Sequence, residues 1–276
     1  MANYILFDKL VEEGSSFIRS AKELFDTLGI HVKYDNNFKK DTGFKTKALC
    51  EVKFHATNAY NITLASRDNG DILCVENSSF LSLALSKKAL LENAKLKISV
   101  EKELGMELDL KANIIHINEL LRDSVGFEKI QTLLKTSFQN FNASIYEGSS
   151  DVRLKEFTDT SSNDALVKLL GATIIKTSTC KKSDGYEVLE TNSFISDSLA
   201  GVVLLDAFDN AADFILVNDV TTFKMFDARQ KSIATVVGRD IDLPVLNIAQ
   251  VLLLALGIKD KDKLGLGAHK VKVTLL

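Results

Sequence analysis

The sequence predicts an α/β protein of two pseudo-repeated lobes, each with a small, parallel-rich sheet flanked by helices. Short apolar runs alternate with helical segments along most of the 276 residues, a pattern typical of parallel strands joined by helices. A two-part motif also recurs about half a chain later. We therefore expect one lobe at residues 1–140 and the other at residues 141–276.

The recurring motif combines a lysine pair with a later strand and turn. Residues 38–44 read FKKDTGF, and residues 180–186 read CKKSDGY. After a helix, the first is followed by DILCVENSSF at 71–80 and the second by DFILVNDVTTF at 213–223. Two matches in the same order, at nearly equal spacing, indicate an internal repeat.

Apolar periodicity predicts the elements of the first lobe. Residues 15–28 form an amphipathic helix, with Ser15 or Ser16 as its cap and Gly29 at its end. IHVKY follows as a strand, residues 56–67 as a helix that ends at an Asp-Asn-Gly turn, and ILCV as the next strand. Residues 79–96 are again helical, IIHI is either a strand or the start of a helix, and FEKIQTLLKTSF closes the lobe.

The second lobe continues the alternation of strands and helices. ASIYEG, GATIIKT, DFILV and DLPVLNI are its predicted strands. Its predicted helices cover residues 164–170, a long segment up to Asn210, residues 222–237 and AQVLLLALG, before an extended KVKVTLL.

Composition excludes several classes of partner. The chain has 34 basic and 37 acidic residues, so its net charge of −3 favours neither nucleic acid nor an anionic membrane surface. The N-terminus lacks the basic region of a signal peptide, and VLLLALGI is too short to span a bilayer. We expect a cytoplasmic protein without a membrane span.

Residues that could carry chemistry are few and scattered. Cys50, Cys74 and Cys180 lie far apart without a Cys-x-x-Cys motif, which favours buried structural thiols. The four histidines have no metal-ligand spacing, and Gly-Leu-Gly at 265–267 lacks the rest of a dinucleotide fingerprint. The residues therefore predict no catalytic group, no cofactor site and no metal site.

Five segments that span most of the chain carry a family resemblance. The longest are LPVLNIAQVLLLALGIKDKDKLGLGAHKV and ADFILVNDVTTFKMFDARQ, and DILCVENSSFLSL, IIHINELL and IYEGSSDVR are shorter. They resemble the B subunit of heterodisulfide reductase and other proteins with the cysteine-rich CCG domain. In that family, Pro-Val-Leu-His precedes a Gln-Leu-Leu helix, and Asp-x-Ile-Val leads into Cys-Pro-x-Cys and then Leu-Asp-x-Arg-Gln.

The resemblance implies iron–sulfur or zinc sites that this chain has lost. Each lobe of the family can offer one Cys, then Cys-Cys-Gly, then Cys-x-x-Cys, and thiolates suit both kinds of metal centre. Leu10 is the approximate first-lobe equivalent of the lone cysteine. The other former ligand positions are Lys39, Lys40, Glu76 and Ser79 in the first lobe and Ser149, Cys180, Lys181, Lys182, Asp219 and Thr222 in the second. We therefore expect a degenerate, cluster-free member of the family.

The replacements suggest a salt bridge in each lobe. Lysine pairs replace the paired cysteines, and an acid replaces the first cysteine of each Cys-x-x-Cys. Lys40 and Glu76 are 36 residues apart, and Lys182 and Asp219 are 37 apart. We expect Lys39 or Lys40 to pair with Glu76, and Lys181 or Lys182 with Asp219. The alternative is that the lysines lie on solvated loops and never meet the acids.

The expected function is that of a non-catalytic binding or assembly subunit. Its protein partner would be a subunit of a redox complex or a paralogue. The alternative is a residual oxidoreductase or metal-binding protein that uses the remaining cysteines or ligands from a partner. An enzyme with a small-molecule site between the lobes also stays open, because a fold does not dictate its function.

Overall fold

Two four-stranded, all-parallel sheets form the framework of the protein. The computed structural model describes residues 3–10, 15–159 and 162–275, with the backbone alone at Ser149. The strands are β1 (Tyr4–Leu6), β2 (Val32–Tyr34), β3 (Asp71–Cys74), β4 (Ile114–His116), β5 (Asn142–Ile145), β6 (Thr173–Ile175), β7 (Phe214–Leu216) and β8 (Val245–Leu246). Their spatial orders are β2-β1-β3-β4 and β6-β5-β7-β8, which confirms an α/β fold with two lobes.

Helices connect these parallel strands. They are α1 (Ser15–Leu28), α2 (Gly43–Leu49), α3 (Glu51–Arg67), α4 (Asn77–Glu92), α5 (Ala94–Leu104), α6 (Ile117–Glu119), α7 (Phe127–Leu133), α8 (Ser149–Leu154), α9 (Ser162–Leu169), α10 (Ser193–Asp209), α11 (Val220–Phe223), α12 (Gln230–Val237) and α13 (Ile248–Ala255). The central strands β3 and β7 are apolar and buried, as expected for parallel strands that helices cover. Within the described ranges, no helix is both long and apolar enough to cross a membrane.

The structure settles two short segments of the first lobe that the predictions omit or leave ambiguous. No strand is predicted above for residues 4–6, although YILF at 4–7 is an apolar run as long as FILV at β7, and β1 pairs with both β2 and β3. The ambiguous IIHI segment is both β4 and the start of α6. At that junction His116 caps the helix, because its Nδ1 accepts a hydrogen bond from the Asn118 amide at 3.2 Å.

One further prediction was wrong in the second lobe. The predicted helix at 222–237 is interrupted, because residues 224–228 form a π-helical turn between α11 and α12. The terminal KVKVTLL segment pairs with no strand over its described residues.

An apolar contact joins the two lobes along one side. Helix α1 of the first lobe packs against α13 of the second, and the ring centres of Phe17 and Phe223 lie 5.8 Å apart. The Ser20 hydroxyl also donates to Asn247 Oδ1 at 3.3 Å. One apolar core extends through both lobes, so the lobes are packed together rather than merely tethered.

The loop after β6 passes very close to α10 at Gly185. This glycine has φ of +82°, and a Cβ there would lie 2.2 Å from the Ser196 carbonyl oxygen. The Ser196 hydroxyl donates to the Gly185 carbonyl at 2.9 Å. Only glycine fits this approach without displacing backbone.

We predict that Gly185→Ala destabilises the protein by more than about 2 kcal/mol, because a left-handed backbone and a backbone clash add together. Gly238→Ala is the matched control, since Gly238 has φ of +71° with nothing within 4 Å of an added Cβ. Its expected cost is about 1 kcal/mol. Urea unfolding of both variants checks this, and equal losses would contradict the role given to the Ser196 contact.

Candidate functional site

A cleft of about 610 Å³ lies between the lobes. It is located where β3 and β7 end, the edge at which parallel α/β sheets commonly bind ligands. Glu76 follows β3 and caps α4, and Asp219 follows β7 and caps α11. Equivalent elements of both lobes thus bring a carboxyl group into the same cleft.

Main-chain amides and hydroxyls hold these two acids. The amides of Ser79 and Ser78 donate to the two carboxylate oxygens of Glu76, at 2.6 and 3.0 Å. The Thr221 amide donates to Asp219 Oδ1 at 3.0 Å, and the hydroxyl of Ser78 donates to Asp219 Oδ2. Because Ser78 belongs to the first lobe and Asp219 to the second, this last bond crosses the cleft.

A second acid lies beside a hydroxyl in each lobe. Asp41 Oδ2 accepts a hydrogen bond from the Ser79 hydroxyl at 3.4 Å, and Asp184 Oδ2 accepts one from the Thr222 hydroxyl at 2.6 Å. Asp41 and Asp184 are 143 residues apart, as are Glu76 and Asp219, and Ser79 and Thr222. The two lobes therefore hold equivalent acid–hydroxyl pairs.

A fifth acid, Asp151 of α8, completes a cluster of buried carboxyl groups, which we call the carboxyl cluster: Asp41, Glu76, Asp151, Asp184 and Asp219. Each member is at most 7% exposed. Burial, and then the neighbouring Asp219, raises the pKa of Glu76 to about 8. Burial likewise raises the pKa of Asp151 to about 7, that of Asp184 to about 6, and that of Asp41. The cleft therefore retains protons near neutral pH.

Basic side chains lie at the mouth of the cleft rather than inside it. Lys45, Arg153, Lys181 and Lys182 line the opening and are exposed. Lys45 pairs with Glu190 at 2.9 Å, Lys181 pairs with Glu147 at 3.4 Å, and the Arg153 guanidinium lies 5.5 Å from the Phe44 ring centre. Buried acids thus lie beneath an exposed ring of cations.

The structure gathers six of the ten former ligand positions into this cleft. These are Glu76, Ser79, Lys181, Lys182, Asp219 and Thr222. Lys39, Lys40 and Cys180 do not line it. The Ser149 side chain lies outside the described part of the structure, although α8 begins at that residue.

The predicted salt bridges are wrong. The Lys39 amine lies 4.1 Å from the centre of the Tyr60 ring, and Lys181 pairs with Glu147. Among the described residues, neither Lys40 nor Lys182 forms an ion pair. Exposed lysines keep their hydration at little cost, whereas the buried acids already receive hydrogen bonds from nearby amides and hydroxyls. The solvated-loop alternative describes the lysines correctly.

Sequence reasoning missed Asp41, Asp151 and Asp184 as members of the site. Asp41 and Asp184 lie inside the recurring motif, but an alignment of the motif on its lysine pairs leaves the two aspartates one residue out of register. The strand and hydroxyl positions shift that alignment by one residue and bring the two aspartates together. Asp151 aligns with Asp8, 143 residues earlier, but Asp8 is only half-buried and pairs with Lys9 at 3.2 Å, so the alignment alone does not mark Asp151 as a member of the site.

The cleft does not fit the iron–sulfur or zinc centre that the family resemblance implies. None of the three cysteines lines it. Cys74 lies fully buried at the end of β3, where burial raises the pKa of its thiol and keeps it protonated, although metal ligation needs the thiolate. Within the described ranges, no three histidine, cysteine or acidic side chains converge on a common metal position. The carboxyl and hydroxyl groups present lack the thiolates of an iron–sulfur cluster and the cysteine and histidine ligands of a structural zinc site.

We predict that a double-mutant cycle between Lys182 and Asp219 gives a coupling energy near zero, about 0–0.5 kcal/mol, because the amine is solvated. The matched cycle between Ser78 and Asp219 should give about 1–3 kcal/mol, since it removes a buried hydrogen bond to a charged group. Lys182→Met, Ser78→Ala and Asp219→Asn would supply the unfolding free energies. A larger coupling for the lysine would restore the salt-bridge model.

Comparison with known proteins supports the resemblance over most of the chain. Residues 186–270 match the HdrB-like C-terminal domain. The chain is 27% identical over 243 residues to the B subunit of the ferredoxin/F(420)H(2)-dependent CoB-CoM heterodisulfide reductase of Methanosarcina acetivorans. It is 28% identical over 246 residues to the B subunit of the ferredoxin:CoB-CoM heterodisulfide reductase of Methanosarcina mazei. Both alignments cover 82% of this chain and 78% of the relative.

A solved structure shares the fold. The crystal structure of a hypothetical protein from Helicobacter pylori superposes with a TM-score of 0.84 at 22% identity. The match covers 99% of this chain and 53% of the other, so the chain spans about half the length of that protein. The chain is therefore similar in sequence to the B subunit of heterodisulfide reductase, as its motifs predicted.

Proposed function

We propose that the chain is a cluster-free homologue of the heterodisulfide reductase B subunit that acts as a non-catalytic binding or assembly subunit of a redox complex. The observation that carries the proposal is that buried carboxyl and hydroxyl groups line the cleft between the lobes and that none of the three cysteines does. An iron–sulfur cluster needs several converging thiolates, and the described thiols are dispersed over three separate places.

We also infer that the two lobes descend from one duplicated unit, with a boundary near residue 140. The shared strand order supports this inference, as do the three residue pairs that are each 143 positions apart. The loss of ligands in both copies is more readily explained by a change of role for the whole site than by a single chance substitution.

Two observations support a protein partner. The Methanosarcina relatives are by name subunits of a larger enzyme. In addition, α10 carries five of the eleven large apolar side chains that are exposed among the described residues. They are Phe194, Ile195, Leu199, Val202 and Phe208. A concentration of exposed apolar groups on one helix is typical of a contact surface.

We predict that the protein binds less than about 0.1 iron per chain after anaerobic incubation with ferrous iron and sulfide, because the cleft has no thiolate set. Iron, sulfide and visible absorbance would be measured. The Methanosarcina mazei relative, treated in parallel, serves as the comparison protein. Stoichiometric iron with cluster absorbance in this chain would refute the cluster-free proposal and favour a residual oxidoreductase.

For the partner, we predict that the tagged chain isolated from its own cells retains a redox-complex subunit in stoichiometric amount. Leu199→Asp should abolish that association, because a charge in the centre of an apolar contact must be desolvated. Ile98→Asp is the matched control, since Ile98 is 65% exposed on a different helix, α5. Mass spectrometry identifies the partner. A chain that purifies alone, or equal effects of both variants, would contradict the proposal.

A further inference from the structure

The interface between the lobes has two chemically different sides. On one side α1 packs against α13 through apolar groups such as Phe17 and Phe223. On the other side the carboxyl cluster faces the cleft. The strength of apolar packing does not depend on pH, whereas contacts between carboxyl groups do.

Hydrogen bonds from α4 join the lobes inside the cleft, and the Lys45–Glu190 ion pair joins them at its mouth. The Asn77 amide donates to the Asn218 carbonyl at 2.8 Å, and the Ser78 hydroxyl donates to Asp219. Both bonds come from the first turn of α4 and reach the segment before α11. The same short segments carry Glu76 and Asp219, so any repulsion between these two acids acts directly on the bonds that close the cleft.

The cluster divides its acids between the lobes. Asp41 and Glu76 belong to the first lobe, and Asp151, Asp184 and Asp219 belong to the second. Among the described residues, no lysine or arginine is buried with them, so only protons offset their charges. Each proton lost from one lobe adds a negative charge opposite the acids of the other lobe.

We propose that the carboxyl cluster is a proton-dependent latch, which holds the cleft closed while Glu76, Asp151 and Asp184 are protonated and opens it about the α1–α13 contact when these three acids ionise. The inference goes beyond the proposed function and does not require a partner. It assigns the cluster a conformational role, in which pH controls access to the cavity between the lobes.

Other titratable groups surround the latch on every side. Glu187 lies at the mouth, where Lys45, Arg153, Lys181 and Lys182 are exposed, and Glu147 does not line the cleft but pairs with Lys181. Tyr146 and Cys74 are weak acids beneath the cluster, and burial raises the pKa of each. Glu119 lies behind Cys74, where it accepts a hydrogen bond from the His116 amide.

The sign of the response follows from Glu76. Its pKa near 8 means that it is largely neutral at pH 6 and largely ionised at pH 9, when its negative charge faces the acids of the second lobe. Asp184 and Asp151, with pKa values near 6 and 7, ionise first and add to the charge. Opening should therefore increase with rising pH, with most of the change between pH 7 and 9.

Spin labels at Ala48 and Glu156 would measure this opening. These exposed residues line a groove where the two lobes approach each other. Cys50 and Cys180 are replaced by serine in every labelled protein, so that they do not react with the spin label. Cys74 is kept, because it is fully buried. The distance between the labels should lengthen from pH 6 to pH 9. Labels at Arg19 and Asp262, beside the apolar contact, should keep their distance, because that side is the hinge.

Two variants separate the latch from a general effect of pH. Glu76→Gln should remove most of the lengthening, since its side chain keeps an acceptor oxygen but cannot ionise. Glu147→Gln should retain it, because Glu147 already lies beside Lys155 and Lys181. If Glu76→Gln does not fold, Asp184→Asn should remove only the part of the lengthening near pH 6 and leave the change between pH 7 and 9. Distances that stay constant with pH, that lengthen for both label pairs, or that lengthen equally in Glu76→Gln would overturn the latch.

Discussion

Five carboxyl groups are buried together with no lysine or arginine buried among them in the described part of the chain, and the arrangement of the cleft depends on that constraint. An isolated buried carboxylate is strongly disfavoured, so a cluster must either bind protons or receive many hydrogen bonds. This protein does both. Helix N-termini donate amides to Glu76 and Asp219, hydroxyls of Ser79 and Thr222 face Asp41 and Asp184, and the pKa values of three members rise to between about 6 and 8.

The positions predicted from the family resemblance have a local structural role in the cleft. Ser79 and Thr222 each place a hydroxyl against a carboxyl group of the preceding loop. Glu76 and Asp219 each cap the helix that follows. In each lobe a helix cap and an acid–hydroxyl pair hold these positions, and neither contact needs a metal.

The sequence was informative where an apolar pattern was clear. Residues 15–28 form the predicted helix, because their apolar residues recur at helical spacing. The apolar runs at β3 and β7 form the predicted strands, because they are short, continuous and bounded by turn residues. Sequence reasoning failed for β1, although its apolar run is as long as that of β7, and for the π-helical turn after α11, which has no sequence signature. The salt-bridge prediction failed for a physical reason. Charge type and spacing were correct, but they carry no information on which side chain is buried, and the lysines are exposed while the acids are not.

Similarity to the B subunit of heterodisulfide reductase places this chain beside proteins that belong to a redox enzyme, while its cleft has a different chemistry. The fold of two parallel sheets brings two strand ends together, so the residues that follow those strands line one cleft. Here those residues include protonated carboxyl groups. A binding role and a pH response are both compatible with such a site, because neither needs electron transfer.

The central claim is that the cleft contains protonated carboxyl groups at neutral pH. Infrared spectroscopy tests it most directly, because the C=O stretch of a protonated carboxyl group is separate from that of a carboxylate. We predict a protonated carboxyl band at pH 7 whose main component disappears with a midpoint near pH 8 and is missing from Glu76→Gln, in which a weaker component from Asp151 remains. A spectrum with only carboxylate bands at pH 7, or an unchanged band in Glu76→Gln, would contradict it.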